Sequence, residues 1–214
     1  NLGSEDEARY HVGAATDFLQ RLATVVAICV ENATNHERLK RVGLTDSLTG
    51  VNNRRFFDQR LLEEVGRAQR SEEPLTCLFL DVDHFKRVND EHGHQTGDQV
   101  LRVVAGLIRE QLRASDVLGR YGGEEFAALL VNASPGAAME IAERIRAVIE
   151  AYPFKTLEGE SLAATISIGV ATLSLHEDDG NLESWANALV ERADQAVYTA
   201  KNQGRNQVVL AATE

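Results

Sequence analysis

The 214-residue sequence predicts an α+β domain in which helices cover a mixed β-sheet. The apolar run at 75–82 suits a buried strand that ends in acidic residues. Residues 117–121 and 126–131 are typical of two strands joined across Gly122 and Gly123, because glycine tolerates the positive φ of a tight hairpin. The order strand, helices, hairpin, helix, strand, helix, strand favours one layered core.

The individual elements follow from the spacing of apolar residues, three and four apart in helices and continuous in buried strands. The expected elements are a helix at about 5–43, a helix through Phe56, Leu61, Leu62 and Val65, the strand 75–82, a helical section to about Leu112, the hairpin 117–131, a helix from Ser134 and Pro135 to about Ala151, a strand at 162–172, a helix at about 182–203 that stops at Gly204, and a short strand at 207–210. We expect a boundary near residue 44, with 1–43 as a signalling or dimerisation helix and 44–214 as the compact domain.

The first helix carries a stripe at alternating spacings of four and three. Its members are Phe18, Leu22, Val25, Cys29, Asn32, His36 and Leu39. Spacing alone leaves two interpretations open, a coiled coil and an amphipathic helix packed on its own domain. Polar residues on such a stripe can fix the register of the two helices in a coiled coil, so Asn32 and His36 favour a parallel dimer.

Composition limits the classes of partner. The net charge of -11 argues against broad binding to a nucleic-acid backbone, and the longest apolar run, 22–30, is too short to cross a bilayer.

Cys29 and Cys77 lie in apolar settings and are expected to be buried free thiols, which suits a reducing cytosol. The chain starts at Asn1 without a leader, so we expect a cytoplasmic piece of a longer protein, whose own tethering to a membrane stays open.

Acidic residues lie at the ends of the predicted strands. On a strand, Asp81 and Asp83 would project to the same side, and Glu124 and Glu125 follow the two hairpin glycines. If the hairpin pairs beside strand 75–82, the carboxylates of Asp81 and Glu124 converge, with Asp83 or Glu125 as further members, and would require divalent cations. An acidic strand end and a solvated turn remain the alternative.

Other residues suit a nucleotide. The amide of Asn89 and the carboxylate of Asp98 match the donor and acceptor edge of guanine, and are equally typical of helix caps or surface residues. The candidate phosphate ligands are the cations Lys86, Arg120, Lys201 and Arg205. Lys201 and Arg205 would lie one helical turn apart if the last helix reaches that far.

The hairpin Gly122-Gly123-Glu124-Glu125-Phe126 resembles, in its GGEEF form, the signature of the GGDEF family of diguanylate cyclases. Further motifs of the family fit in order, and they are Asp46-Ser-Leu-Thr-Gly50 with Asn53-Arg54-Arg55, Asp81-Val-Asp-His-Phe-Lys86, Asn89-Asp90, Gly93-His94, Gly97-Asp98, Ser167-Ile-Gly-Val-Ala171 and Lys201-Asn-Gln-Gly-Arg-Asn206. Val51 stands where the family usually has Leu. The resemblance covers about 44–210.

The resemblance implies a mainly antiparallel sheet surrounded by helices, similar to the palm of nucleotidyl cyclases and polymerases. It implies that two copies meet as a homodimer, each with one GTP, and that each 3′-hydroxyl attacks the α-phosphate of the other GTP to give cyclic di-GMP and two pyrophosphates. Mg²⁺ or Mn²⁺ would bind Asp81, the main-chain carbonyl of Val82 and Glu124. Glu124 would lie nearest the hydroxyl, and Glu125 would assist with metal or hairpin geometry.

The motif match also implies the substrate-binding residues. Asn89 and Asp98 would recognise guanine; Lys86, Lys201 and Arg205 would hold phosphates; Arg120, Gly122 and Gly123 would lie beside the substrate. Arg113-x-x-Asp116 matches an inhibitory site for the product in many members, and Arg144 on the following helix either completes that site or is a solvated helical arginine.

The helix before residue 44 resembles the closing helix of a GAF-type sensor domain. Two rival functions remain at this point. One is a non-enzymatic reader that binds GTP or cyclic di-GMP, and the other is a dinucleotide cyclase with relaxed base choice. The presence of Asp81, Glu124, Asn89 and Asp98 favours the enzyme.

Overall fold

The computed structural model describes residues 21–30, 43–174 and 181–212. The chain divides into two compact units, Asn1–Gly43 and Leu44–Glu214. In the first unit, residues 21–30 form helix α1, on which Leu22, Val25 and Cys29 are exposed. The expected burial of the two thiols is therefore wrong for Cys29 and right for Cys77. The stripe residues Phe18, Asn32, His36 and Leu39, and most of the segment compared with a GAF-type sensor, lie outside the described residues. Among the residues described, no helix combines the length and the apolar character needed to cross a membrane.

The second unit is an α+β domain, which confirms the predicted fold class. Its elements are β1 (Asn52–Asn53), α2 (Arg54–Ser71), β2 (Leu75–Val82), α3 (Phe85–Gln111), β3 (Val117–Arg120), β4 (Glu125–Val131), α4 (Pro135–Ala151), β5 (Phe154–Lys155), β6 (Ser161–Leu162), β7 (Ile166–Thr172), α5 (Leu182–Asn202) and β8 (Val208–Leu210). In the described part of this unit, one sheet has the order β1-β3-β4-β2-β7-β8. Its inner pairs are antiparallel. At the two edges, β1 pairs in parallel with β3, and β8 pairs in parallel with β7.

Helix bounds follow local chemistry. The side chains of Asn53, Ser134 and Asn181 each accept a hydrogen bond from the main-chain N–H three residues further on, and so cap the starts of α2, α4 and α5. Pro135 occupies the first turn of α4, where its missing N–H costs nothing. The caps at Ser134 and Asn181 account for the close agreement between the expected and observed starts of α4 and α5.

The core lies on both faces of the sheet. Along β2, Leu78, Leu80 and Val82 pack in the cluster that includes α3 and α4 residues, whereas Cys77 and Phe79 pack in the cluster that includes α2 and α5 residues. Successive side chains of a strand point to opposite faces, so a strand covered on both sides is apolar throughout. This burial explains why the run 75–82 was recognisable as a strand.

Helix α5 packs unusually close to β7 at Gly169. A Cβ at this position would lie 2.0 Å from the carbonyl oxygen of Ala193 and 2.6 Å from the main-chain nitrogen of Val197. Only glycine therefore permits this approach. The contact sets the position of α5, whose last turn carries Lys201.

The structure corrects one expected strand and adds detail to two expected helical sections. The strand expected at 162–172 is two strands, because Ser161–Leu162 pairs with β5 in a separate ribbon. Helix α3 bends at Gly93, whose φ of 79° is not helical. Helix α5 ends at Asn202, and Gly204 and Arg205 have φ of 118° and 66°, so Arg205 does not lie one helical turn beyond Lys201.

Candidate active site

The site begins at the acidic end of β2. The hairpin pairs beside β2, with Asp81 opposite Glu125 of β4, and on its other side Asp81 is opposite Ser167 of β7. The main-chain N–H of Val82 also donates to the carbonyl of Glu124, with an N–O distance of 3.3 Å. The pairing that would bring the hairpin carboxylates towards Asp81 is therefore present.

Asp81 is buried, with 6% of its surface exposed, and Lys201 is its ion-pair partner. The Lys201 Nζ lies 2.7 Å from Asp81 Oδ2. Burial raises the pKa of Asp81 to about 6; Lys201 opposes this rise, while the negative charges of Glu124 and Glu125 add to it. Asp81 is thus a carboxylate in a crowded, partly dehydrated environment that favours a cation beside it.

Asp83 does not belong to this acidic group, which corrects its place in the expected cluster. Its carboxylate accepts hydrogen bonds from the Thr165 hydroxyl at 2.8 Å, the Ser167 hydroxyl at 2.7 Å and the Asn206 main-chain N–H at 3.0 Å. With 4% of its surface exposed, Asp83 joins the end of β2 to β7 and to the segment after α5.

The hairpin tip does not use the positive φ that was expected of its glycines, because neither Gly122 nor Gly123 has φ in the left-handed region. The main-chain N–H groups of Tyr121 and Gly122 both donate to the carbonyl of Glu125. A Cβ on Gly122 would meet the Glu125 carboxylate at 2.2 Å, whereas one on Gly123 would meet no atom within 4 Å. Gly122 therefore makes room for Glu125, and Gly123 leaves an open main-chain surface.

Arg120 ties the hairpin to the start of the domain. Its guanidinium donates to the Gly123 carbonyl at 2.6 Å and 3.1 Å, and to the Asp46 carboxylate at 3.1 Å and 3.2 Å. Asp46 also accepts from the main chain and hydroxyl of Thr49. Arg120 thus holds the hairpin tip against residue 46, a contact that sequence spacing did not indicate; its binding to phosphate stays a prediction.

Tyr121 anchors the hairpin from below. Its ring makes edge contacts with Phe57 and Phe79 at centroid distances of 5.8 Å and 5.1 Å. The Arg54 guanidinium lies 4.3 Å from the ring centroid on the Tyr121 face. These contacts fix the start of the turn that carries Glu124.

The predicted guanine ligands lie on the two arms of the bent helix α3. Asn89 precedes the bend at Gly93 and Asp98 follows it, and both are half-buried. A Cβ on Gly97 would lie only 2.0 Å from Asn89 Oδ1. Because Gly97 has no side chain, the Asn89 amide can pack against it, next in the chain to Asp98.

The remaining predicted phosphate ligands are exposed. Lys86 lies in the first turn of α3, immediately beyond the end of β2. Arg205 lies in the left-handed turn after α5, where its main-chain N–H donates to the carbonyl of Ala200. Both positions border the segments that hold Asp81 and Lys201.

Two of the three predicted inhibitory residues line a separate cavity of about 310 Å³. Arg113 and Asp116 line it, and the Asp116 carboxylate accepts from the main-chain N–H groups of Arg113 and Val131. Arg144 is exposed, yet it is not simply solvated: it donates to the side chain of Gln111 at 2.9 Å and to its carbonyl at 2.7 Å, at the end of α3.

The donor set was compared with the needs of a divalent cation. Within the part of the chain that the structure describes, no three His, Cys, Asp or Glu side chains are arranged to hold a metal by themselves. Magnesium is commonly held by one or two carboxylates together with substrate phosphates. Asp81 with Glu124 fits that second kind of site.

Comparison with known proteins identifies the family. The model of the family described as "Diguanylate cyclase, GGDEF domain" matches residues 43–207. The chain belongs to the GGDEF family. The family prediction made from the hairpin and its companion motifs is therefore confirmed. The motifs lie at the start of the domain, at the end of β2, in α3, in the hairpin, in β7 and in the turn after α5.

Two curated relatives and one solved structure illustrate the similarity of this GGDEF domain to others. Diguanylate cyclase DgcP of Pseudomonas aeruginosa is 43% identical over 82% of the chain and 25% of its own length. Diguanylate cyclase DosC of Escherichia coli is 38% identical over 90% of the chain and 39% of its own length. The chain thus spans well under half of these relatives. The coiled coil and GGDEF domain of DgcB from Caulobacter crescentus, solved with c-di-GMP, is 33% identical with a TM-score of 0.84, covering 91% of this chain and 99% of that one.

Proposed function

We propose that this GGDEF domain is a diguanylate cyclase that condenses two GTP into cyclic di-GMP. The observation that carries the proposal is the arrangement around Asp81, which faces Glu125 across two paired strands and contacts Lys201. The named cyclase activity of the relatives supports it.

In this proposal Asp81, Glu124 and the main-chain carbonyl of Val82 hold Mg²⁺ or Mn²⁺. The metal supplies a lower pKa for the attacking hydroxyl and neutralises charge on the α-phosphate. Lys201 changes partner from Asp81 to the phosphates, because the buried carboxylate needs only one close cation. Glu125, packed over Gly122, keeps the hairpin shape that presents Glu124.

Substrate binding divides between the two ends of the site. The Asn89 amide donates to the guanine edge and the Asp98 carboxylate accepts from it, and the bent α3 sets their spacing. Lys86, Lys201 and Arg205 neutralise the triphosphate, and the open main chain at Gly123 permits its close approach. Arg120 positions the hairpin through Asp46 and Gly123 and is near enough to the hairpin tip to meet the phosphates.

The reaction requires two domains. The 3′-hydroxyl of one GTP, next to Glu124, attacks the α-phosphorus of the other. The O–H proton passes to water, the new O–P bond forms, and the bond to pyrophosphate breaks. Repetition by the second hydroxyl closes the ring and releases the second pyrophosphate. Because each domain supplies half of this arrangement, a homodimer is required, and the exposed Leu22 and Val25 of α1 suit a helix pair between the copies.

Product inhibition at the separate cavity is part of the proposal. Arg113 can bind a guanine or phosphate with its forked guanidinium, Asp116 can accept from a guanine edge, and Arg144 lies beside the same end of α3. Binding of cyclic di-GMP to the purified domain, measured by calorimetry, should be weakened by Arg113→Ala. Unchanged binding would contradict this site.

The activity is tested by incubating the protein with GTP and Mg²⁺ and separating the nucleotides by chromatography. We expect cyclic di-GMP and pyrophosphate, no product from ATP, and loss of activity in Glu124→Gln and Asp81→Asn. Glu140→Gln, an exposed change on α4, is the matched control. GTP binding without product at any protein concentration would indicate a reader instead, and product from Glu124→Gln would overturn the assignment of Glu124. A cytoplasmic location is part of the proposal because GTP is a cytoplasmic substrate.

A further inference from the structure

The segment after α5 has an unusual main-chain conformation. Gly204, Arg205 and Asn206 have φ of 118°, 66° and 46° in succession. Residues other than glycine rarely adopt positive φ, and such conformations persist only when neighbouring contacts enforce them. The contacts that hold this segment therefore determine where the side chain of Arg205 can reach.

Asn206 supplies those contacts. Its main-chain N–H donates to Asp83 Oδ2 at 3.0 Å. Its side-chain oxygen accepts from Arg146 Nη1 at 2.9 Å, and its side-chain nitrogen donates to Glu150 Oε1 at 2.7 Å. Both polar atoms of the amide, together with the main chain, are thus bound to neighbouring elements.

The two side-chain partners of Asn206, which are Arg146 and Glu150, are themselves held in place on α4. Arg146 donates through Nε and Nη2 to Glu143 and through Nη1 to Glu150 Oε2 at 2.7 Å. Only 15% of the Arg146 side chain is exposed, and its bonds to Glu143 and Glu150 raise its pKa above the ordinary value. A planar guanidinium fixed on three sides is a stiff support rather than a mobile surface charge.

We propose that Arg146 and Glu150 are positioning residues for phosphate binding, acting through Asn206 to hold the turn that presents Arg205. This rests on the proposed function. Neither α4 residue belongs to the motifs that identify the family in this sequence, and neither needs to touch the substrate. Their role is to hold the turn after α5 in one conformation, so that Arg205 is already in place when the phosphates bind.

The test compares two ligands that share guanine but differ in phosphates. Dissociation constants of GMP and of a non-hydrolysable GTP analogue with Mg²⁺ are measured by calorimetry for the whole protein. Arg146→Ala should weaken binding of the analogue by about tenfold, because loss of supporting contacts around a site commonly reduces affinity by this amount. Its GMP affinity should stay within about twofold of wild type, because the guanine ligands lie on α3. Asn206→Ala should show the same loss, and the double variant no more than either alone.

Two controls separate positioning from general damage. Arg60→Ala removes ion pairs of similar spacing, to Glu63 and Glu64, on α2, and should leave the ratio of the two affinities unchanged. Glu150→Gln keeps an oxygen for Asn206 and should retain most of the preference. The positioning role would be overturned if Arg146→Ala still preferred the GTP analogue over GMP as strongly as wild type does. It would also be overturned if the variant lost affinity equally for both ligands. A wild-type protein that binds the analogue no better than GMP would overturn the phosphate site itself, and this proposal with it.

Discussion

The ammonium of Lys201 lies 2.7 Å from the carboxylate of Asp81, so the last turn of α5 is joined directly to the end of β2. Asp81 is the predicted metal ligand and Lys201 a predicted phosphate ligand. The pair keeps a buried carboxylate neutralised. The two residues can separate when a metal takes the place of Lys201 beside Asp81 and a triphosphate takes the place of Asp81 beside Lys201.

Lys201→Ala should therefore have opposite effects on metal and on nucleotide. Without the competing ammonium, Mn²⁺ should bind the nucleotide-free protein about tenfold more tightly. The KM for GTP should rise by about tenfold or more, because a charge-assisted bond to phosphate is lost. Electron paramagnetic resonance measures the first effect and steady-state kinetics the second. Lys155→Ala, a change at the exposed residue of β5, is the control; weaker Mn²⁺ binding in Lys201→Ala would contradict the exchange.

Gly97→Ala should impair guanine recognition without unfolding the domain. The added Cβ would lie 2.0 Å from Asn89 Oδ1, which is the end of a side chain and can move aside. The displaced amide should raise the KM for GTP by about tenfold and reduce the preference over ATP. Gly106→Ala in the same helix meets no atom within 4 Å and should only stabilise, by about 0.5–1 kcal/mol. Equal kinetics in Gly97→Ala and wild type would argue against Asn89 as a base ligand.

Asp46→Asn should lower turnover more than stability. It keeps an oxygen for Thr49 but removes the charge that holds Arg120, a partly exposed pair whose loss costs about 1 kcal/mol or less. The hairpin should then exchange its amide hydrogens faster, and kcat should fall severalfold while the melting temperature changes little. Asp58→Asn, which loses an exposed pair with Arg54, is the comparison. An unchanged exchange rate at Gly122 and Gly123 would show that Asp46 does not restrain the tip.

The Cys77 thiol gives a pH-dependent prediction. Burial raises its pKa from 9.0 to about 12, so the folded state keeps the proton that the unfolded state loses. The free energy of unfolding should be unaffected by this thiol below pH 9 and should decrease from there towards pH 12. In a Cys29→Ser background, iodoacetamide at pH 8.5 should label Cys77 only in denaturant. Rapid labelling of the folded protein would show that Cys77 is not sealed in the core.

The sequence predicted best those elements whose signals are local. Strand β2 was placed from Leu75 to Val82 because burial on both faces makes it apolar throughout. The start of α4 followed from the Ser134 cap and Pro135. The two-residue strand β5 was missed, since so short a pair carries no periodicity.

The side-chain partners could not be read from spacing. Asp83 was expected beside Asp81, yet its partners Thr165, Ser167 and Asn206 lie more than 80 residues away in the chain. The contacts of Arg144 to Gln111 and of Arg120 to Asp46 are of the same kind. Family motifs predicted the candidate site residues, whereas the pairing of strands and the bend at Gly93 decide which of them meet.

The most direct measurement is a crystal structure with Mn²⁺ and a non-hydrolysable GTP analogue, in which anomalous scattering locates the metal. We expect manganese about 2.1 Å from carboxylate oxygens of Asp81 and Glu124, with the Lys201 ammonium moved from Asp81 to a phosphate. Manganese bound elsewhere, with Asp81 still paired to Lys201 and the analogue present, would contradict it.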